Sequence, residues 1–333
     1  MTTMATAQSQ GGSAQSTFYE ASALLFLYTE TPLHAGTGAS LGIVDLPIQR
    51  EVHTQYPMIQ GSSIKGALRS RAEQSGMSRE RLRAIFGPDG KDGVEASDHA
   101  GSLIVGDART LLFPVRSLEG VFHYVTSADA LARFARDCQR AGITGLDDTL
   151  KALPAPSSEA ALLTKDGAGQ LVTSVSGKKQ ITLEEFTFVV ETSDKLQTIA
   201  AWLAQHALPT DEAYTYWRQQ MQQRLVVLPE TDFRDFTLYA TQVVQRIRLD
   251  STTKTVEDGG LWSEESLPSD TLLYAPVFAT HPRQGNGNGA NGANLEDGAA
   301  VLTAVASLVS ANNSYIQLGG DETVGYGQVA ARL

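Results

Sequence analysis

The stretch Gly61-Ser62-Ser63-Ile64-Lys65-Gly66-Ala67-Leu68-Arg69 has the residue types of an anion site. A Gly-Ser-Ser turn running into a helix points backbone N–H groups and two hydroxyls at the positive end of the helix dipole. Lys65 and Arg69, four residues apart, share a helix face and repel each other by roughly a few tenths of a kcal/mol. Gly66 inside the helix costs roughly 1 kcal/mol relative to Ala. Two local costs beside one anion site point to a phosphate chain passing close by, although a solvated helix face is the plainer account of a basic i,i+4 pair. From Arg50 to Arg83, seven Lys/Arg stand against three Asp/Glu, a local +4 in a chain of net charge −11.

Asp45 is a lone acid between Ile43-Val44 and Leu46-Pro47-Ile48, in the loop before that basic stretch. Asp ahead of X-Pro is an ordinary turn former. As a chemical group, one carboxylate can take a proton from a ribose 2′-hydroxyl or hold one divalent ion, but it does not build a two-metal site. A second cluster, Leu318-Gly319-Gly320-Asp321-Glu322-Thr323-Val324-Gly325-Tyr326-Gly327, permits close approach of another backbone. It reads either as a tight hairpin or as a loop pressed on a nucleic-acid strand, with Tyr326 as a stacking face.

Several apparent motifs dissolve on inspection. Gly325-Tyr326-Gly327-Gln328-Val329-Ala330 spells a dinucleotide fingerprint, but the chain ends at Leu333 without the helix and acid that motif needs. Gly320 and Gly325 have P-loop spacing, yet Tyr326 stands where Lys is required. The six histidines contain no H-x-x-x-H pair, and Asp89-x-x-Asp92 lacks EF-hand spacing. The lone Cys138 excludes an intrachain disulfide and a thiolate zinc cluster. The acidic balance disfavours a protein that coats nucleic acid by bulk charge, so anion binding has to be local.

These residues need a scaffold, and 333 residues with 42% hydrophobic content supply one. Length alone suits about two units of ~150 residues. Apolar runs predict strands at 23–29, 103–105, 186–190, 242–249, 272–278, 315–318 and 328–333. Helical periodicity predicts helices from Ser62 or Ser63 to about Ser75, and at 128–140, 195–206, 212–225 and 295–309. The mixture lacks regular βα alternation, which points to an α+β fold of antiparallel sheets with helices on one face. Residues 1–17 carry no charge and read as a disordered leader. The Gly/Asn-rich segment 284–294 reads as a mobile loop, and 87–101 as a second polar excursion. Without a signal sequence or an apolar run long enough to span a membrane, the expected location is cytoplasmic.

The same residues carry a resemblance. Thr31-Pro-Leu-His-Ala-Gly-Thr-Gly38, Gly42-Ile-Val-Asp-Leu-Pro-Ile-Gln-Arg-Glu51 and Ile59–Arg69 resemble the RAMP superfamily of CRISPR effector proteins. Within it they resemble the repeating backbone subunit of the type III-B (Cmr) complex. Leu318–Val329 is similar to the superfamily's glycine-rich loop, and Ala100–Arg109, Phe113–Ser117 and Val256–Glu265 also fit. The resemblance implies one RAMP domain over 18–333, with a ferredoxin-like (RRM-like) palm, helical insertions and an inserted β-hairpin thumb at either 251–267 or 165–185.

It further implies copies stacked as a filament along a CRISPR guide RNA. Each would cleave complementary target RNA with a divalent metal (Mg2+ or Mn2+) held by the catalytic Asp45. The implied RNA contacts are His34, Gln49, Arg50, Ser62, Ser63, Lys65, Arg69, Gly319, Gly320, Gly325, Tyr326 and Gly327. Glu264 and Glu265 stand as acid–base helpers beside His34. The other implied partners are a large Cas10-type subunit, a small subunit and capping RAMP subunits. A non-catalytic filament subunit and the equivalent type III-A backbone subunit are the alternatives.

Overall fold

The structure, a computed structural model, describes residues 18–90, 99–175, 177–282, 294–310 and 315–333. The leader 1–17 and nearly all of the 284–294 loop lie outside the described residues. The first strands are Ala21–Thr29 (β1), Met58–Ile59 (β2), Leu103–Val105 (β3), Ala108–Ser117 (β4), Val121–Ser127 (β5) and Ala160–Leu163 (β6). Thr173–Val175 (β7), Lys178–Leu183 (β8), Phe186–Thr192 (β9) and Leu225–Leu228 (β10) follow. The last are Gln242–Leu249 (β11), Val256–Ser266 (β12), Leu272–Ala279 (β13), Tyr315–Gln317 (β14) and Gln328–Arg332 (β15). The α-helices are Gly61–Gln74 (α1), Arg79–Phe86 (α2), Ala128–Arg140 (α3), Asp147–Lys151 (α4) and Lys165–Gln170 (α5). Asp194–His206 (α6), Thr215–Arg224 (α7), Glu230–Tyr239 (α8) and Gly298–Ser310 (α9) complete them.

The long apolar run of β1 explains the architecture. Its side chains alternate between two cores: Leu25 and Leu27 face one, Leu24, Phe26 and Tyr28 the other. A strand buried on both faces reads as a continuous apolar run. The first core takes most of its helical side chains from α1, α2, α8 and α9, with Ala130 of α3 and Ala168 of α5, and the second takes its own from α3, α4, α6 and α7. Helices therefore cover both faces of the sheet, not one as the sequence suggested.

Thirteen strands join in one curled sheet of order β14-β15-β1-β13-β4-β5-β10-β6-β9-β8-β7, with β2 on β4 and β3 on β13. β8 pairs back to β4 through Ser117 opposite Leu183, which curls that half upon itself. Most pairings are antiparallel, but β10 with β5 and β6 with β9 run parallel, so the sheet is mixed. Toward one end β15, β1, β13 and β4 lie side by side, all antiparallel. The chain passes through α1 on its way from β1 to β4, and through α9 from β13 to β15.

β11 and β12 stand apart as a two-stranded sheet. Val243, Ile247, Leu249, Val256 and Leu261 are exposed along it, whereas Ser263–Ser266, at its base, are buried. An isolated hairpin is marginal in water, so this one depends on its rooted end. The range 251–267 takes in its turn and second strand, while 165–185 covers α5, β7 and β8 beside or within the main sheet.

Candidate active site and nucleic-acid interface

The loop between β1 and β2 is fastened along its length to the hairpin base. Leu33 exchanges two backbone bonds of 2.9 Å with Leu267, and Gly36 bridges to Ile48. Leu46 donates to the Ser263 carbonyl at 3.0 Å and accepts from Glu265 N–H at 3.0 Å, so residues around 46 extend the hairpin as a short parallel third strand. This brings the Asp45 side chain to Ser263. The Ser263 N–H and hydroxyl both donate to Asp45 Oδ2, at 2.7 and 2.8 Å, and the same hydroxyl accepts from the Asp45 N–H at 2.9 Å. Those bonds, the backbone one foremost, hold the carboxyl below the usual carboxylate range. Asp45 is exposed, and no described residue hydrogen-bonds its Oδ1.

The two glutamates next along the strand face opposite ways. Glu265 is spent inside the protein. Its Oε1 accepts from Arg50 at 2.5 Å and from the Thr241 hydroxyl at 2.8 Å, and its Oε2 accepts from Ile48 N–H at 3.0 Å. Arg50 also donates to the carbonyls of Gln55 and Thr237. Neither side chain is presented to a ligand, so both position the loop. Glu264, also buried, meets Arg246 at 3.2 Å, and Arg246 reaches Asp321 of the glycine-rich loop at the same distance. Burial, and then the Asp321 carboxyl beside it, push the Glu264 carboxyl up against the pull of Arg246.

His34 Nδ1 lies 2.6 Å from the Glu265 carbonyl. A carbonyl only accepts, so Nδ1 carries a proton, and in that tautomer Nε2 is the acceptor. Gln49 donates to the Gly36 carbonyl at 3.1 Å and accepts from Gln60 N–H at 2.9 Å, tying the loop to the start of α1. That task occupies both ends of its amide.

At α1 the expected cap differs. Gln60, not Ser62 or Ser63, is the N-cap residue, and its side chain makes no capping bond. Gly61 N–H donates to Asp107 Oδ1 at 2.8 Å, and the N–H groups of Ser63 and Ile64 both turn to the Gln60 carbonyl. A carboxylate of the chain itself thus answers the positive end of the helix. Lys65 donates to the Leu103 carbonyl at 2.8 Å, and burial, then Arg69, lowers its pKa. Arg69 meets Glu73 at 3.1 Å, Asp89 at 3.3 Å and the Gly87 carbonyl at 2.9 Å. Ser62 and Ser63 remain exposed, and a methyl group added at Gly66 would meet nothing within 4 Å.

The glycine-rich loop packs on the residues that follow β1. Gly320 N–H donates to the His34 carbonyl at 2.9 Å and Gly327 N–H to Pro32 at 2.8 Å. Gly319, at φ +76°, sits so close that a side chain would meet the His34 carbonyl at 2.4 Å. The backbone that approaches Gly319 and Gly327 is therefore the protein's own, while Gly325 stays open. Arg246 lies 5.1 Å from the Tyr326 ring centroid and covers one face, and Gln242 donates to its hydroxyl at 3.3 Å. Asp45, His34 and Tyr326 are thus each bonded to the hairpin base, and the Gln49–Gln60 bond links that base to the start of α1, which carries Lys65 and Arg69. Ser263, Arg246, Asp321 and Asp107 escaped the sequence reading, since each acts through a partner remote in the chain.

Among the described residues no group of three or more His, Cys, Asp or Glu is arranged to hold a metal ion. Asp45 alone fits the mode in which a hard cation takes one carboxylate and completes its shell with water and phosphate oxygens. No described helix is long and apolar enough to cross a membrane.

A sequence model described as the RAMP superfamily matches residues 26–330. The chain belongs to that superfamily. Among RAMP proteins it is 37% identical over 313 residues to the CRISPR system Cmr endoribonuclease Cmr4 of Pyrococcus furiosus, covering 93% of this chain and 95% of that one. The crystal structure of oligomeric Cmr4 from the same organism superposes with a TM-score of 0.66 at 30% identity, over 93% of this chain and 96% of the other. A chain of a type III-B Cmr-beta complex bound to cognate target RNA gives a TM-score of 0.67 over 95% and 98%. At 23% identity this last likeness is one of RAMP fold alone.

Proposed function

We propose that this chain is a guide-RNA-binding backbone subunit of a type III-B CRISPR effector complex and cleaves the target RNA paired to that guide, in defence against viruses. The observation that carries the reading is Asp45, exposed and fixed through one oxygen, in a chain so similar to an endoribonuclease. The antiparallel order β15-β1-β13-β4, with α1 and α9 as crossovers, supports a ferredoxin-like palm within a single domain over 18–333. The separate hairpin Gln242–Ser266 supports a thumb longer than either range expected from the sequence. Further copies of the chain, a Cas10-type large subunit, a small subunit and capping RAMP subunits complete the proposed particle in the cytoplasm.

The guide is held by its backbone, so base pairing and not side chains chooses the target. Ser62, Ser63, Lys65 and the gap over Gly66 line the guide side, with Arg69 as a screened cation behind them. Gly320, Gly325 and Tyr326 face the paired strand. The hairpin splays the target so that a ribose 2′-hydroxyl lines up with its own phosphorus, an orientation effect worth several kcal/mol. The 2′-oxygen attacks phosphorus and the 5′-oxygen departs. Because Asp45 is held ionised, its Oδ1 accepts a hydrogen bond from the hydroxyl and orients it, and Nε2 of His34, which lies beside Gly36, is the acceptor for the proton. A divalent ion held by Asp45 would supply charge neutralisation at the phosphate.

The deciding experiment reconstitutes the complex with Asp45→Ala. Cleavage falls at least a hundredfold with guide and target binding intact. Undiminished cutting removes Asp45 from the scheme.

A further inference from the structure

Asp45 is one carboxylate on a loop whose backbone is bonded to the hairpin base while the residues just before it lie in solvent. Residues 37–43 are exposed, with Leu41 and Ile43 fully so, and among the described residues no side chain but Ser263 hydrogen-bonds the carboxylate. The side chain that does hold it lies 218 residues away, buried at the base of the hairpin. Ser263 is the residue type for this, because a hydroxyl both donates and accepts and its own N–H lies beside it. Both donors converge on Oδ2. That anchors the carboxylate through Oδ2 and leaves Oδ1 as the oxygen that no other described residue bonds.

We infer that Ser263 is the positioning residue of the proposed cleavage site, selecting Oδ1 of Asp45 as the reacting-side oxygen and coupling its placement to the hairpin. The inference rests on the reading of Asp45 given above. Its physical content is that a mobile acid forfeits orientation, and orientation is the largest contribution one carboxylate can make here. The coupling follows from the backbone: Leu46 pairs with the Ser263 carbonyl and Glu265 N–H, so the Asp45 segment rides on β12 as an added strand. A hairpin shifted by bound RNA carries the carboxylate with it.

Ser263→Ala keeps the backbone N–H bond and removes the hydroxyl that both donates to Oδ2 and accepts from Asp45 N–H. Hydrogen bonds to charged groups of this kind correspond to roughly a ten- to hundredfold change. The test measures single-turnover cleavage by the reconstituted complex at saturating target, target affinity, and amide hydrogen exchange at Asp45. Expected for Ser263→Ala are slower cleavage by that factor, unchanged affinity and faster exchange at Asp45. Ser263→Thr, which keeps the hydroxyl, restores cleavage wherever it restores Asp45 protection. Wild-type cleavage by Ser263→Ala overturns the inference, as does an equal loss of cleavage and affinity. So does a threonine variant that protects Asp45 yet cuts as slowly as alanine. Asp45→Ala run alongside separates the two claims. Full cutting by it overturns the reading of Asp45 itself, whereas a dead Asp45→Ala beside a fully active Ser263→Ala overturns only the role of Ser263.

Discussion

The corner at the start of α1 and the corner at the hairpin base are built from the same residue types, glycine, serine and acid, and they end in opposite chemical states. At α1 the fold answers its own charges: Asp107 takes the Gly61 N–H, Leu103 takes the Lys65 ammonium, and Glu73 and Asp89 flank Arg69. At the hairpin base Ser263 uses one oxygen of Asp45 and leaves the other to solvent. Composition alone makes the first corner look like the richer site. What a group can still do for a ligand depends on which of its bonds the fold has already taken. By that measure, α1 offers a guide shape and hydroxyls, while the hairpin base offers a reactive oxygen.

The sharpest way to break this contrast is at Glu265, which supports the hairpin corner without facing RNA. Its pair with Arg50 is nearly buried, at 7% and 13% side-chain exposure, and it also takes Ile48 N–H and the Thr241 hydroxyl. Removing one partner of a buried pair leaves an uncompensated charge, at a cost of about 3–5 kcal/mol. Glu265→Gln is expected near the lower end of that range in urea unfolding of the purified chain, because the amide still accepts from Ile48. A loss below about 1 kcal/mol would place Glu265 on the solvent side and return it to the acid–base helpers.

Asp107 tests the other corner and should matter less. Asp107→Ala removes the acceptor for Gly61 N–H and the negative charge at the positive end of α1, together worth about 1 kcal/mol of stability. Guide affinity, measured at low and high salt, is expected to hold or rise, since an internal anion has left the place a phosphate would occupy. A fall in affinity well beyond the loss of stability would show that Asp107 shapes the guide contact and does not compete with it.

How far this contrast was legible in the sequence depends on distance along the chain. Helix α3, residues 128–140, and strand β1 could be read because a stripe or a continuous apolar run lies within one segment. β4 and β5 could not. Both are buried on alternate faces without clean alternation, Pro114 and two arginines interrupt the first, and Val121 opens the second at φ +73°. β12 falls inside the 251–267 expected from the resemblance as a possible hairpin, but no local pattern shows it: Glu257, Asp258, Gly259 and Gly260 are poor strand formers, and pairing with β11 holds the strand extended. At the site, the Asp45, Lys65 and glycine-rich segments were visible through the family likeness. Ser263 was not, since no local pattern announces a serine whose partner lies 218 residues earlier. The same holds for Asp107, whose role exists only once β4 has been brought against α1.

Gly66 carries the smallest expected effect and isolates the α1 corner from everything else. It costs helix α1 roughly 1 kcal/mol relative to Ala, and among the described residues no neighbour explains the expense, because an added methyl meets no atom beyond its own helix within 4 Å. Gly66→Ala should therefore stabilise the chain by up to about 1 kcal/mol in urea unfolding. If the guide backbone lies over that gap, between Ser62 and Ser70 on the same helix face, the methyl group takes its place and guide affinity drops while stability rises. Those opposite signs are the signature of a glycine kept for an external ligand. Gain in stability with affinity unchanged would move the guide off this face of α1, and the hairpin base would then have to hold the RNA through the open groups around Tyr326 and Gly325.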